Sequence, residues 1–214
     1  MTSPRAGVGK LPVGILLSGQ GTNLRAILDR CEAGTLDAEV RVAISNRPEA
    51  PGLAFARERG VPCVVLSRGE FTSRDAQQEG MARCLEDHGV DLVVLAGFDQ
   101  ILSDRFVKQF SFRMINLHPS LLPAFGGGMH AVRDALAHGV KVTGCTVHFL
   151  AIEFPDADSG PIILQESVPI DDNDTEETLL ARVHEAEYRL LPAAIQLIAE
   201  GRLRLEGRRV RILP

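Results

Sequence analysis

Apolar positions recur along this chain in two alternating patterns. Val13–Leu17, Glu39–Ile44, Cys63–Leu66 and Asp91–Ala96 are short and rich in aliphatic side chains, as strands buried on both faces of a parallel sheet are. Between them lie stretches with a helical rhythm. Leu24, Ile27, Leu28 and Cys31 share one face; Pro51-Gly52 opens a helix that Gly60 stops; Phe71–His88 forms another, with Arg74 near its start. Strands and helices in this alternation predict a parallel sheet with helices on both faces. Ligands in such sheets sit beyond the carboxyl ends of strands. The loops after Leu17, Ala96 and Leu117 are therefore expected on one functional edge.

The second half begins with the strand that opens Met114–Phe125 and runs into a proline-punctuated loop. Gly126-Gly127-Gly128 is flexible enough for a mobile flap, and His130–His138 reads as the helix after it. Val142–Leu150 and Ile162–Ile170 read as strands, joined by Ala151–Gly160, a loop rich in acids and prolines. Asp174 with Glu177 predicts a capping box for a long helix over Thr175–Gly201, which Pro192 should kink or restart. Leu203–Leu205 and Arg209–Leu213 flank Glu206-Gly207 as a terminal hairpin would. No repeat or linker divides the chain, so one domain over residues 11–214 is expected, after a short polar tail over residues 1–10.

Composition narrows the function classes. At 214 residues, 45% hydrophobic and 24% charged, the chain is long enough for a sizeable core. A net charge of −5 argues against a nucleic-acid binder held by phosphate contacts. No apolar run reaches the roughly 20 residues of a membrane helix, and the start lacks the apolar core of a signal peptide. Cys31, Cys63, Cys84 and Cys145 are scattered without C-x-x-C spacing, which speaks against zinc and against a disulfide framework. A cytoplasmic protein is the expectation.

Candidate chemistry falls on the predicted edge. Asn116 and His118 are two residues apart, so on a strand they project from the same face. An amide can donate to a developing oxyanion, and an imidazole moves protons near neutral pH. Asp158 lies in Asp156-Ala157-Asp158-Ser159-Gly160-Pro161, a sharp turn before a strand, and a carboxylate beside an imidazole orients the ring. The bland alternatives are a polar pair meeting solvent and a solvated acidic loop. Ser18-Gly19-Gln20-Gly21-Thr22-Asn23 leads from strand to helix, where free amides and the helix dipole suit an anion. It is neither a P-loop nor a dinucleotide fingerprint: Leu24 stands at the third glycine position, and the next strand ends in Ser45-Asn46-Arg47 without an acid. A lone phosphate suits it better. His88 and His138 sit at helix ends, and His130 and His184 read as helix residues. His148, alternating along a strand, reads as either a core histidine or a pocket wall. No histidine pair has metal-ligand spacing, and Ser18 and Ser120 lack a G-x-S-x-G elbow.

Four motifs in order resemble the folate-dependent glycinamide ribonucleotide formyltransferases of purine biosynthesis. They are Ser18-Gly-Gln-Gly-Thr-Asn-Leu24, Leu95-Ala-Gly-Phe-Asp-Gln-Ile-Leu-Ser103, Asn116-Leu-His-Pro-Ser-Leu-Leu-Pro123 and Asp158-Ser-Gly-Pro-Ile-Ile-Leu-Gln165. The likeness runs from about Pro12 to Leu205. It implies the three-layer α/β/α formyltransferase fold, a mostly parallel Rossmann-like sheet with antiparallel strands in the C-terminal part. It also implies a co-substrate, 10-formyltetrahydrofolate, no metal, small-molecule substrates, and a monomer or homodimer. By the same resemblance, Gly21, Thr22 and Asn23 would hold the substrate phosphate and Glu187 its ribose hydroxyls. Arg74 and the backbone of Asp99, Gln100, Ile101 and Leu102 would line the folate pocket together with Asn116. Asn116, His118 and Asp158 would be the catalytic set. Three departures stand out. Asp99-Gln100 replaces the family's usual Met-Arg, Phe149–Asp158 is a few residues longer than usual, and Gly126-Gly127-Gly128 replaces a loop that often carries proline. The longer loop lets Asp156 compete for the acidic role; Asp158 keeps the D-x-G-P spacing. Two other readings stand beside formyl transfer to the ribonucleotide. One is a 10-formyltetrahydrofolate deformylase, which shares the catalytic set but lacks a phosphate loop like Gly19–Leu24. The other is a non-catalytic folate or nucleotide binder on the same fold.

Overall fold

A computed structural model describes residues 9–214, so most of the expected polar tail lies outside the described residues. The aliphatic runs become strands β1 (Leu11–Leu17), β2 (Ala38–Ser45), β3 (Cys63–Val65), β4 (Leu92–Leu95) and β5 (Met114–His118). They lie parallel in the order β3-β2-β1-β4-β5. The sheet is completed by β6 (Val142–Phe149) and β7 (Ile162–Pro169), each antiparallel to its neighbour.

Both faces of the central strands are buried, which is why their sequences are continuous rather than alternating. In β1, Val13, Ile15 and Leu17 enter one core while Leu16 enters the other. In β4, Leu92 and Val94 face the first core and Val93 and Leu95 the second. Helices α1 (Thr22–Glu32), α2 (Gly52–Glu58), α5 (Ala131–His138) and α6 (Glu176–Ala199) cover the first face. Helices α3 (Arg74–Asp87) and α4 (Asp104–Gln109) cover the second. The result is the expected three-layer α/β/α architecture. A separate hairpin of β8 (Leu203–Glu206) and β9 (Arg209–Ile212) follows α6.

Several boundaries correct the sequence reading. Helix α3 starts at Arg74 rather than Phe71, because Ser73 caps it through a 3.0 Å bond from the Ala76 amide, and a 3₁₀ turn occupies Arg68–Glu70. The expected Asp174–Glu177 capping box does not form. Thr175 and Thr178 make the box instead, and Asp174 is drawn away into an ion pair with Arg182. Helix α6 runs unbroken through Pro192 instead of restarting there. Helix α4 has no counterpart in the sequence reading; Ser103 caps it, and Phe106 and Phe110 tie it to the second core.

Candidate active site

Strands β1, β4 and β5 are adjacent and parallel, so the three loops that follow them open on one edge. The phosphate-loop candidate turns at Gly21, whose φ of 71° is left-handed. A Cβ there would sit 2.4 Å from the Gly52 Cα, so only glycine lets the two loops touch. Helix α1 then begins at Thr22. Asn23 donates from Nδ2 to Glu187 Oε2 at 2.9 Å, joining α1 to α6. Glu187 is 4% exposed. Burial pushes its carboxyl up to about 7, with the Asn23 hydrogen bond opposing. The residues expected at phosphate and ribose therefore meet at one place.

Asn116 and His118 project from β5 toward Asp158. Asn116 Nδ2 donates to Asp158 Oδ1 at 3.2 Å, and His118 Nδ1 lies 3.2 Å from Asp158 Oδ2. The Gly127 amide of the glycine loop donates to that same Oδ2 at 2.8 Å. Burial alone would raise the Asp158 carboxyl. Hydrogen bonds from His148 and Gly127, with the positive charge available on His118 and His148, outweigh it and hold Asp158 down to about 2. Asp156 is exposed and contributes its carbonyl to the turn, accepting from the Ser159 amide and hydroxyl. The geometry thus places Asp158, not Asp156, beside His118. The other ring nitrogen, His118 Nε2, lies 2.9 Å from the Phe125 carbonyl. Both nitrogens face acceptors, so only the doubly protonated ring donates at both.

His148 is a site residue that the sequence reading left undecided. It is buried, and its Nε2 lies 3.4 Å from Asp158 Oδ1 and 3.3 Å from Asn116 Nδ2. Asn116 and His148 are direct cross-strand partners in the β5–β6 register. That pairing is the signal which could have found it.

The loop expected against the folate, Asp99–Leu102, follows β4. Gln78 of α3, almost fully buried, donates to the Ile101 carbonyl at 2.9 Å and accepts from the Ser103 amide at 2.7 Å. Ile101 presents its side chain outward at 79% exposure. The Asp99 carboxylate is tied to the loop after β2. It accepts from Asn46 Nδ2 at 2.8 Å and pairs with Arg47, while the Asp99 amide donates to Ser18 Oγ at 3.0 Å. The departure at Asp99 therefore ties the loop after β4 to the loop after β2, while its backbone amide holds Ser18 of the loop after β1. Arg74 is exposed at the first turn of α3.

An imidazole–carboxylate–amide cluster shares its edge with an anion-suited helix start and a buried acid. That combination holds the parts a group-transfer site needs, a titratable cluster beside a helix start that suits an anion. The chain belongs to the formyl transferase family, which its residues 12–195 match. It is 40% identical to the phosphoribosylglycinamide formyltransferase of Escherichia coli, over 89% of this chain and 88% of that protein. The crystal structure of glycinamide ribonucleotide transformylase 1 from Symbiobacterium toebii superposes with a TM-score of 0.93 at 48% identity, covering 97% of this chain and 96% of that one. The chain is also 45% identical to the trifunctional purine biosynthetic protein adenosine-3 of Gallus gallus, matching through 90% of its own length and spanning 19% of that protein.

Proposed function

We infer that this chain transfers the formyl group of 10-formyltetrahydrofolate to the amine of 5-phosphoribosylglycinamide, a step of de novo purine biosynthesis. The observation that carries the reading is the shared edge. The Asn23–Glu187 pair at the start of α1 and the Asn116–His118–Asp158 cluster at the end of β5 are separated by one intervening strand. At about 4.8 Å per strand, β1 and β5, whose ends lead into the two centres, lie roughly 10 Å apart across the sheet, a span that one small phosphorylated amine can bridge.

The chemistry follows from the donors present. The neutral amine attacks the formyl carbon; a C–N bond forms and the carbonyl oxygen becomes an oxyanion. Asn116 and His118 are the donors that receive it in this reading, and losing one such donor costs about 10²–10³ in rate. For His118 to serve, the Phe125 carbonyl on Nε2 must give way to a substrate atom, which gives the segment Phe125–Gly128 a gating part. The attacking nitrogen then loses a proton, N10 of the folate gains one, and the C–N10 bond breaks. The charged His118 ring gives a proton to N10, the neutral ring then takes one from the attacking nitrogen, and Asp158 stabilises the charged form before and after.

The test follows folate absorbance with and without the ribonucleotide. Folate release only when the ribonucleotide is present is expected. Release to water alone would make the chain a deformylase, and no release would make it a binder. Gln78→Leu leaves the Ile101 carbonyl and Ser103 amide without their buried partner. It is expected to raise the KM for the folate about tenfold, to leave the KM for the ribonucleotide within about twofold, and to cost about 1–3 kcal/mol of stability. Steady-state kinetics with each substrate varied and a urea titration check it.

A further inference from the structure

Asp158 sits in a loop that does little to hold itself. Within Ala151–Ser159 the backbone closes two turns, Phe154 N to Ala151 O at 2.9 Å and Ser159 N to Asp156 O at 3.2 Å. Asp158 itself adopts a φ of 56°, a left-handed conformation that residues with a Cβ resist. On the sheet side the loop ends firmly: a Cβ on Gly160 would lie 1.7 Å from the Phe149 carbonyl oxygen, so the chain is pressed against β6 there. What fixes the outer side comes from another part of the molecule.

The turn of the β8–β9 hairpin carries Arg208. Its Nη1 donates to the Ser159 carbonyl at 2.5 Å, and its guanidinium lies over the Phe154 ring, 4.8 Å from the centroid. One planar group thus grips the loop four residues before Asp158 and one residue after it. The hairpin is a firm base for such a grip: Leu203 is buried, and Leu205 and Val210 pack on the main core. It also lies outside residues 12–195, the part that matches the family. We propose that Arg208 is a positioning residue for formyl transfer, a clamp that holds the Asp158 loop at the distance His118 requires.

The proposal rests on the formyl-transfer reading for its kinetic consequences and on geometry alone for its structural ones. Stacking and a charge-assisted hydrogen bond need a flat cation with a fixed fork. Lysine can keep the hydrogen bond but loses the stack. Arg208→Ala, Arg208→Lys and Phe154→Ala in the full chain separate these contributions. Arg208→Ala is expected to lower kcat about tenfold, with Arg208→Lys and Phe154→Ala each about threefold down. The KM for the ribonucleotide should stay within about twofold, because Asn23 and Glu187 are untouched. Hydrogen exchange of residues 151–160 should quicken in Arg208→Ala, and the ring resonances of His118 should shift. Wild-type kcat in Arg208→Ala, or a rise in ribonucleotide KM that accounts for the whole loss, would overturn the clamp. If the wild-type chain fails to transfer formyl at all, the functional reading falls. Exchange rates and His118 resonances still judge the clamp, and unchanged values in Arg208→Ala overturn it.

Discussion

His118→Ala is expected to lower kcat by about 10²–10³ while the ribonucleotide still binds. The mutation removes the ring that reaches Asp158 on one side and the Phe125 carbonyl on the other, and it leaves Asn23 and Glu187 in place. Asp158→Asn should act comparably by a different route. The amide keeps the size of the carboxylate, but one of its two ends becomes a donor, and the carboxylate it replaces accepts from Asn116 and Gly127 and faces both His118 and His148. At least one of those groups then meets a donor instead of an acceptor. Single-turnover rates with ribonucleotide affinity measured separately check both variants. Near-normal turnover in either one removes the assigned roles. The pH dependence has a definite sign. Asp158 is held down to about 2, below an unfolded value near 3.9. The stability this confers is complete above the unfolded value and disappears as pH falls through the folded one. The stability difference between wild type and Asp158→Asn should therefore shrink by about 2 kcal/mol from pH 5 to pH 2, visible in acid unfolding curves.

How much of this was legible in the chain depended on the range of the interaction involved. The parallel strands were readable because burial on both faces leaves a continuous aliphatic run, which needs no partner to be recognised. Asn116 and His118 were readable because two residues on one strand share a face whatever the sheet order. His148 was not, because its relation to Asn116 exists only in the β5–β6 register, and a lone histidine in an apolar strand looks the same in a core. Helix α4 escaped because six residues with one buried side chain carry no measurable period. The start of α6 was misplaced by one residue for a tertiary reason. Asp174 and Thr175 are both good caps, and Arg182, two turns away, removes Asp174 from the choice. The arrangement of the Asp158 loop was the least legible part. The contacts that place it come from β5 and β6, from Ser111, from the glycine loop and from the terminal hairpin, far from it in sequence and chosen by the fold.

Glu187→Gln is expected to make the protein more stable at alkaline pH and worse at binding its ribonucleotide. Burial pushes the Glu187 carboxyl up from 4.5 to about 7, so the folded chain resists an ionisation that the unfolded chain undergoes near 4.5. Below that pH the two states hold the same proton and no penalty exists. As pH rises toward and past 7 the penalty grows to about 3 kcal/mol. Glutamine cannot ionise, and its carbonyl oxygen still accepts from Asn23. The variant should therefore be less than about 1 kcal/mol more stable at pH 5 and about 3 kcal/mol more stable at pH 8. Binding runs the other way. A carboxylate takes hydroxyl protons more strongly than an amide does, so the ribonucleotide Kd should rise about tenfold or more in the variant. In the wild type, ribonucleotide binding should weaken as pH falls below 7 and Glu187 becomes protonated, whereas the variant should keep only the shallower dependence of the substrate's own phosphate, which titrates at about 6 in both proteins. The buried acid is then kept for the substrate at the expense of the empty protein, a trade of stability for function. Urea titrations at pH 5 and pH 8, with calorimetric Kd values across that range, decide it: a wild-type stability that does not change between those pH values leaves no penalty for glutamine to remove.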